Sequence, residues 1–133
     1  MKNKSLKKMV AFGMVMTMLF SMALVANAES TLTASDTVNG ITVSFKHTYS
    51  YASVVSTAIM SGNTNNSHIY DTVAITLKNT KTGAITNPST SGSGQTAVTV
   101  NYSRPSNTTI THSRSDFRYK TNGSATRTKS LGA

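Results

Sequence analysis

The stretch His68-Ile69-Tyr70-Asp71-Thr72-Val73-Ala74-Ile75-Thr76-Leu77-Lys78 decides the fold. Ile69, Asp71, Val73, Ile75 and Leu77 share one parity. His68, Tyr70, Thr72, Ala74, Thr76 and Lys78 share the other. Strict alternation with β-branched residues predicts a half-buried strand, because side chains along a strand point to opposite faces in turn. The residues after Lys78 have the chemistry of a chain reversal. Asn79-Thr80-Lys81-Thr82-Gly83 reads as a type I turn closed by a left-handed glycine. Ala84 to Thr86 begins a return strand and Asn87-Pro88 ends it. Ser89 to Gln95, with Gly92 and Gly94, reads as a flexible loop.

The same pattern extends in both directions. Upstream, Ile41, Val43 and Phe45 alternate with Thr42, Ser44 and Lys46. They come after Asn39-Gly40, a dipeptide that tolerates positive φ and closes type I′ hairpins, so Thr31 to Val38 is the expected partner. Tyr49 to Met60 reads as one long strand, buried on both faces or bulged near Ser53; its β-branched content argues against a helix. Gly62 to Ser67 is a turn. Downstream, Val98, Val100 and Tyr102 make a strand stopped by Arg104-Pro105-Ser106-Asn107. Thr109 to Thr121 and Ser124 to Leu131 form a last hairpin around Asn122-Gly123. Consecutive antiparallel strands predict an all-β domain: a small sandwich or open barrel of six to seven strands.

Ahead of that domain stands a leader. Lys2, Lys4, Lys7 and Lys8 form a positive n-region, Met9 to Val25 is uncharged and mostly apolar, and Ala26-Asn27-Ala28 has the small-x-small form that signal peptidase cuts. The expectation is a cleaved signal peptide over 1–28, cut between Ala28 and Glu29 after Ala26-x-Ala28, and a secreted or extracellular domain over 29–133. The rival is an uncleaved membrane anchor, since the apolar run approaches the lower limit of a span. With no Cys in the chain, no lipid attachment succeeds the leader and no disulfide staples the domain. Ser and Thr make 38 of residues 29–133. That composition suits a sheet or a disordered glycosylated stalk, and the two prolines and the alternation favour the sheet.

Charge is concentrated at one end. Over residues 29–103, Lys46, Lys78 and Lys81 balance Glu29, Asp36 and Asp71. Beyond them Arg104, Arg114, Arg118, Lys120, Arg127 and Lys129 face only Asp116, leaving +5. A two-residue Asn122-Gly123 loop sets Arg118 opposite Arg127 and Asp116 opposite Lys129. Arg114, Arg118, Lys120, Arg127 and Lys129 then form one basic face. Its expected partner is an anionic wall polymer or a membrane surface, reached through charge. The plainer reading is a solvated face that protects an edge hairpin. Specific nucleic-acid recognition is not expected, since no aromatic residue along the hairpin interleaves with the basic face to stack on bases.

Catalytic motifs are weak. Lys81-Thr82-Gly83 matches the K-T-G element of penicillin-recognising enzymes, but the only S-x-x-K, Ser5 to Lys8, lies in the leader. His47, His68 and His112 lack ligand spacing, so no metal or cofactor is expected. Ser91-Gly92-Ser93-Gly94 is not a nucleophile elbow. Asn65, Asn107 and Asn122 open N-x-S/T sequons, which mark surface loops. A small secreted hydrolase is the least supported function.

The Lys- and Met-rich leader, Ala26-Asn27-Ala28, the Cys-free Thr/Ser-rich domain and the basic end together resemble small Sec-exported β-rich proteins of Gram-positive bacteria. Through Tyr49-Ser50-Tyr51-Ala52-Ser53-Val54 and Thr111-His112-Ser113 the chain is slightly similar to lactococcin-type bacteriocins. Those are Cys-free β-sandwich proteins that disturb cell-wall synthesis. The chain departs from them in its length and in having no tryptophan. The leading expectation is a non-enzymatic domain binding an anionic surface or wall component; the alternative that the resemblance implies is a secreted bacteriocin or toxin.

Overall fold

The computed structural model of the chain describes residues 29–62 and 64–132. The expected leader, with Ala26 and Ala28, lies outside the described residues. Those residues form an all-β sandwich of nine strands: β1 (Ser30–Val38), β2 (Ile41–Tyr49), β3 (Ser53–Ser61), β4 (His68–Asn79), β5 (Ile85–Thr86), β6 (Ser89–Gly94), β7 (Ala97–Ser103), β8 (Thr108–Lys120) and β9 (Arg127–Gly132). The first sheet runs β1-β2-β3-β7. In the second, β4 is flanked by β8 and then β9 on one side, and by β5 and β6 on the other. All pairings are antiparallel. The chain passes between sheets after β3, β6 and β7.

The core is the inward parity of each strand. Ile41, Val43, Phe45, Val54, Ala58 and Met60 meet Ile69, Val73, Ile75, Leu77, Ile110 and Phe117. The Phe45 ring lies 4.8 Å from that of Phe117 and 5.0 Å from that of Tyr119, spanning the two sheets. Truncating such a buried aromatic side chain removes about 3–5 kcal/mol of stability. The series Ile69, Asp71, Val73, Ile75 and Leu77 is buried throughout, as the alternation requires.

Turn chemistry explains most connections. Asn39 (φ 50°) and Gly40 (φ 77°) both adopt the left-handed region, as a type I′ turn demands, and pair Val38 with Ile41. Asn79 Oδ1 accepts from the N–H groups of Lys81 (2.8 Å) and Thr82 (3.0 Å), and Gly83 (φ 76°) closes that turn.

Three expectations need correction. Tyr49 to Met60 is not one strand. β2 ends at Tyr49, and a tight turn at Ser50 precedes β3. The Ser50 hydroxyl accepts from the N–H of Ala52 (3.2 Å) and Ser53 (3.1 Å), supplying the turn without glycine or proline. Ser89 to Gln95 is not a free loop: Ser89–Gly94 is strand β6, paired with β4. Its glycines are there for space. A Cβ on Gly94 would lie 1.9 Å from the Ala97 carbonyl oxygen, and one on Gly92 would press Val100 at 3.1 Å. Lastly, the final hairpin is slipped by one residue. Thr121 to Thr126 connect the strands, so Arg118 faces Thr128, Tyr119 faces Arg127 and Phe117 faces Lys129. A one-residue slip exchanges the faces of a whole strand.

Candidate binding face of the second sheet

The register shift separates the five cations expected to lie together. Arg114, Arg118 and Lys120 keep to the outer face of β8. Arg127 and Lys129 take the other face of β9, opposite the inward residues Tyr119 and Phe117. The Arg127 side chain reaches from β9 to the first sheet. Its Nη1 donates to Asp36 Oδ2 at 3.1 Å, and the Tyr119 hydroxyl donates to the same oxygen at 2.6 Å. This cluster ties edge strand β9 to edge strand β1. The Tyr119 bond, followed by Arg127, holds the Asp36 carboxyl below its usual range; burial and then the Asp36 acceptor raise the Tyr119 phenol.

Arg114 is also engaged. Its Nε donates to both Asp116 carboxylate oxygens, at 2.9 and 3.1 Å, and Ser130 Oγ donates to Asp116 Oδ1 at 2.5 Å. Burial works to raise the Asp116 pKa, but these two donors outweigh it and leave it lowered. Among the described residues, Arg118 and Lys120 have no carboxylate partner.

What Arg118 has instead is an aromatic ring. Tyr70 on β4 lies directly opposite Arg118 in the ladder, and the guanidinium carbon sits 4.8 Å from the ring centroid. His68, opposite Lys120, sets its ring 4.3 Å from that of Tyr70, tilted by 46°. Thus one end of the outer face gathers His68, Tyr70, Arg118 and Lys120. The basic hairpin shows no interleaved aromatic in the sequence because the ring comes from β4, far along the chain. The alternation already places His68 and Tyr70 outward; their pairing with β8 is non-local and has no local signal.

The rest of the face is hydroxyl-rich. In one cross-strand row stand Ser93, Tyr70, Arg118 and Thr128; in the next, Ser91, Thr72, Asp116 and Ser130. Together they line a concavity of about 790 Å³. A smaller one, about 250 Å³, continues beside His68, Lys120 and Thr126.

The buried polar groups lie elsewhere, between the sheets. His47 contacts Ser115 Oγ (2.6 Å) through Nδ1 and Ser113 Oγ (2.8 Å) through Nε2. All three residues are completely buried, and burial lowers the His47 pKa. A serine beside an imidazole suggests nucleophile activation, but both ring nitrogens are occupied and no substrate reaches them. Asp71 is also fully buried beside Ser56, whose hydroxyl works to lower its pKa, but among the described residues neither carboxylate oxygen makes a hydrogen bond of good geometry. Burial pushes its pKa up to about 6. His112 is exposed on β8. Lys81-Thr82-Gly83 forms the β4–β5 turn, with its turn geometry fully accounted for by Asn79. Among the described residues, no group of His, Cys, Asp or Glu converges to hold a metal ion, and no helix is long and apolar enough to cross a membrane.

No protein-family model, curated protein or solved structure matches the chain.

Proposed function

We propose that this protein is a secreted, non-enzymatic β domain that binds an anionic component of the cell wall or surface through the outer face of its second sheet. The observation that carries the reading is the division of labour among the cations. Arg114 is paired with Asp116 and Arg127 with Asp36. Arg118 and Lys120 stand side by side with His68 at one end of a concave face, without a carboxylate among the described residues to neutralise them. They project from one of two paired central strands, so their positions are fixed by the ladder and little ordering is needed on binding. The leader expected over 1–28 supplies the compartment.

The test is co-sedimentation with purified Gram-positive cell walls. Binding should fall steeply with added salt, because attraction between exposed charges is screened over roughly 10 Å at about 0.1 M. The double substitution Arg118→Gln/Lys120→Gln should abolish most of it, whereas Arg127→Gln/Lys129→Gln should do much less. Equal losses from the two pairs would show that net charge is sensed and the face is not. Salt-insensitive sedimentation, or none, would reject the reading.

A further inference from the structure

Resting on that reading, we infer that the concave face is a groove for a linear polyol-phosphate chain that follows β8. The ligand is a polymer with phosphodiester charges separated by neutral, hydroxylated units. Three features of the face select that chemistry.

The first is the spacing of charge. Along the outer face of β8, Arg114, Asp116 and Arg118 alternate in sign at every second residue, roughly 6.8 Å apart in an antiparallel strand. Asp116 repels a phosphate placed over it, and Oδ2, which among the described residues accepts only from Arg114, keeps room for a ligand hydroxyl. A dense polyanion would set charge against Asp116; a chain whose phosphates are spaced by polyol units can set phosphate at Arg118 and hydroxyls at Asp116.

The second is the floor. Across β6, β4, β8 and β9 the row through Asp116 offers Ser91, Thr72 and Ser130. It spans three strand gaps, roughly 14 Å, of small hydroxyl groups. Of the exposed large apolar side chains in the described residues, only Tyr70 lines the groove. A membrane requires protruding apolar groups, and a recessed hydroxyl floor supplies none. Nucleic acid bound through its bases requires several free stacking faces, whereas Phe117 is buried and the Tyr70 ring is already packed against Arg118 and His68.

The third is the Tyr70–Arg118 pair. The ring holds the planar guanidinium at 4.8 Å, which presents its donors ready for two phosphate oxygens. Tyr70 is therefore a positioning residue for Arg118, a shape-specific role that charge alone does not require. Lysine at position 118 keeps the charge and loses the fork.

Isothermal titration with lipid-free poly(glycerol phosphate) tests the proposal, alongside phosphatidylglycerol vesicles, which carry the same headgroup chemistry in a membrane, and dextran, which carries hydroxyls without charge. The wild-type chain should bind the polymer and neither of the others. Tyr70→Ala should weaken binding about two- to fivefold without changing net charge, the worth of an exposed cation–π contact. Arg118→Lys should weaken it comparably, and Tyr70→Phe should keep wild-type affinity. Tyr70 is 44% exposed, so its variants keep the fold, which the far-UV spectrum checks. Wild-type affinity in both Tyr70→Ala and Arg118→Lys would overturn the groove while leaving charge-driven wall binding intact. Vesicle binding as tight as polymer binding would overturn it in favour of a membrane. Binding to whole walls but not to the polymer would remove the polyol-phosphate ligand alone; failure on both would remove the wall reading with it.

Discussion

Replacing Asp71 by Asn should make this protein progressively more stable than wild type as pH rises from 4 to 7.5. Asp71 is fully buried in the core, and among the described residues neither carboxylate oxygen makes a hydrogen bond of good geometry; the nearby Ser56 offsets only part of the burial. Burial raises its pKa from 3.8 to about 6. In the unfolded chain the carboxyl ionises near its ordinary value. Between those two values the folded state therefore holds a proton that the unfolded state has released, and stability must fall as pH rises. The Asp71 contribution is fully present below pH 3.8 and is lost as pH rises through about 6. The shift corresponds to up to about 3 kcal/mol, at 1.36 kcal/mol per unit. Asn is nearly isosteric and cannot ionise. Its amide adds an offset for how well it fits beside Ser56, but that offset does not vary with pH. The quantity to track is the difference in unfolding free energy between variant and wild type, from urea titrations at pH 4, 5, 6 and 7.5. It should grow by about 2–3 kcal/mol across the series. His47 pulls the other way, because burial lowers its pKa and stability is lost as pH falls below 6.5. That effect is common to both proteins and cancels in the difference. A flat difference would refute the reasoning, since it would mean that Asp71 ionises as easily in the core as in water.

The same structure sets other outcomes. Gly94→Ala should cost about 3 kcal/mol or more, because the new Cβ meets the backbone of Ala97 and neither strand can yield cheaply; thermal denaturation measures it. Ser50→Ala should cost about 1 kcal/mol by leaving the Ala52 and Ser53 N–H groups without the hydroxyl, and Ser50→Asp should restore much of it. Asp36→Asn should loosen edge strand β1, seen as faster amide exchange over Ser30–Val38, since Tyr119 and Arg127 both converge on that carboxylate. The purified domain should leave related bacterial strains growing normally; inhibition would favour the bacteriocin alternative over a binding domain.

The all-β class was legible because β2, β4 and β7 each alternate cleanly and because Asn39-Gly40 and Asn79 to Gly83 carry explicit turn chemistry. The failures have definite causes. Ser50 turns the chain with its side chain, a signal that looks identical to an ordinary strand serine among so many Ser and Thr residues. Gly92 and Gly94 resemble linker glycines, yet they sit in β6 because β7 passes too close for a Cβ. For Gly92 that proximity is a property of the packed sandwich, and for Gly94 it comes from the tight β6–β7 connection; neither leaves a periodic trace. The final hairpin failed on one residue: reading Asn122-Gly123 as a two-residue loop ignored Ala125 and Thr126, which extend the connection and exchange the faces of β9.

That slip determines what the basic end of the chain can do. In the expected register, Arg118 and Arg127 would face one another and repel, costing a few tenths of a kcal/mol or more. In the observed register each cation finds a different use. Arg127 crosses to Asp36 and joins the edges of the two sheets. Lys129 packs half-buried beside Phe117, where an inward charge on an edge strand opposes edge-to-edge aggregation. Arg114 is balanced by Asp116. Of the five cations, Arg118 and Lys120 are left without such a duty among the described residues, and both stand opposite aromatic rings on β4. Much of the charge run that dominates the sequence is thus engaged within the fold, and Arg118 and Lys120, without a carboxylate partner among the described residues, stand where β8 meets β4. The contrast between Arg118/Lys120 and Arg127/Lys129 in wall binding is consequently the sharpest measure of whether this division of roles holds: the two pairs carry equal charge and differ only in what the fold has already given them to hold.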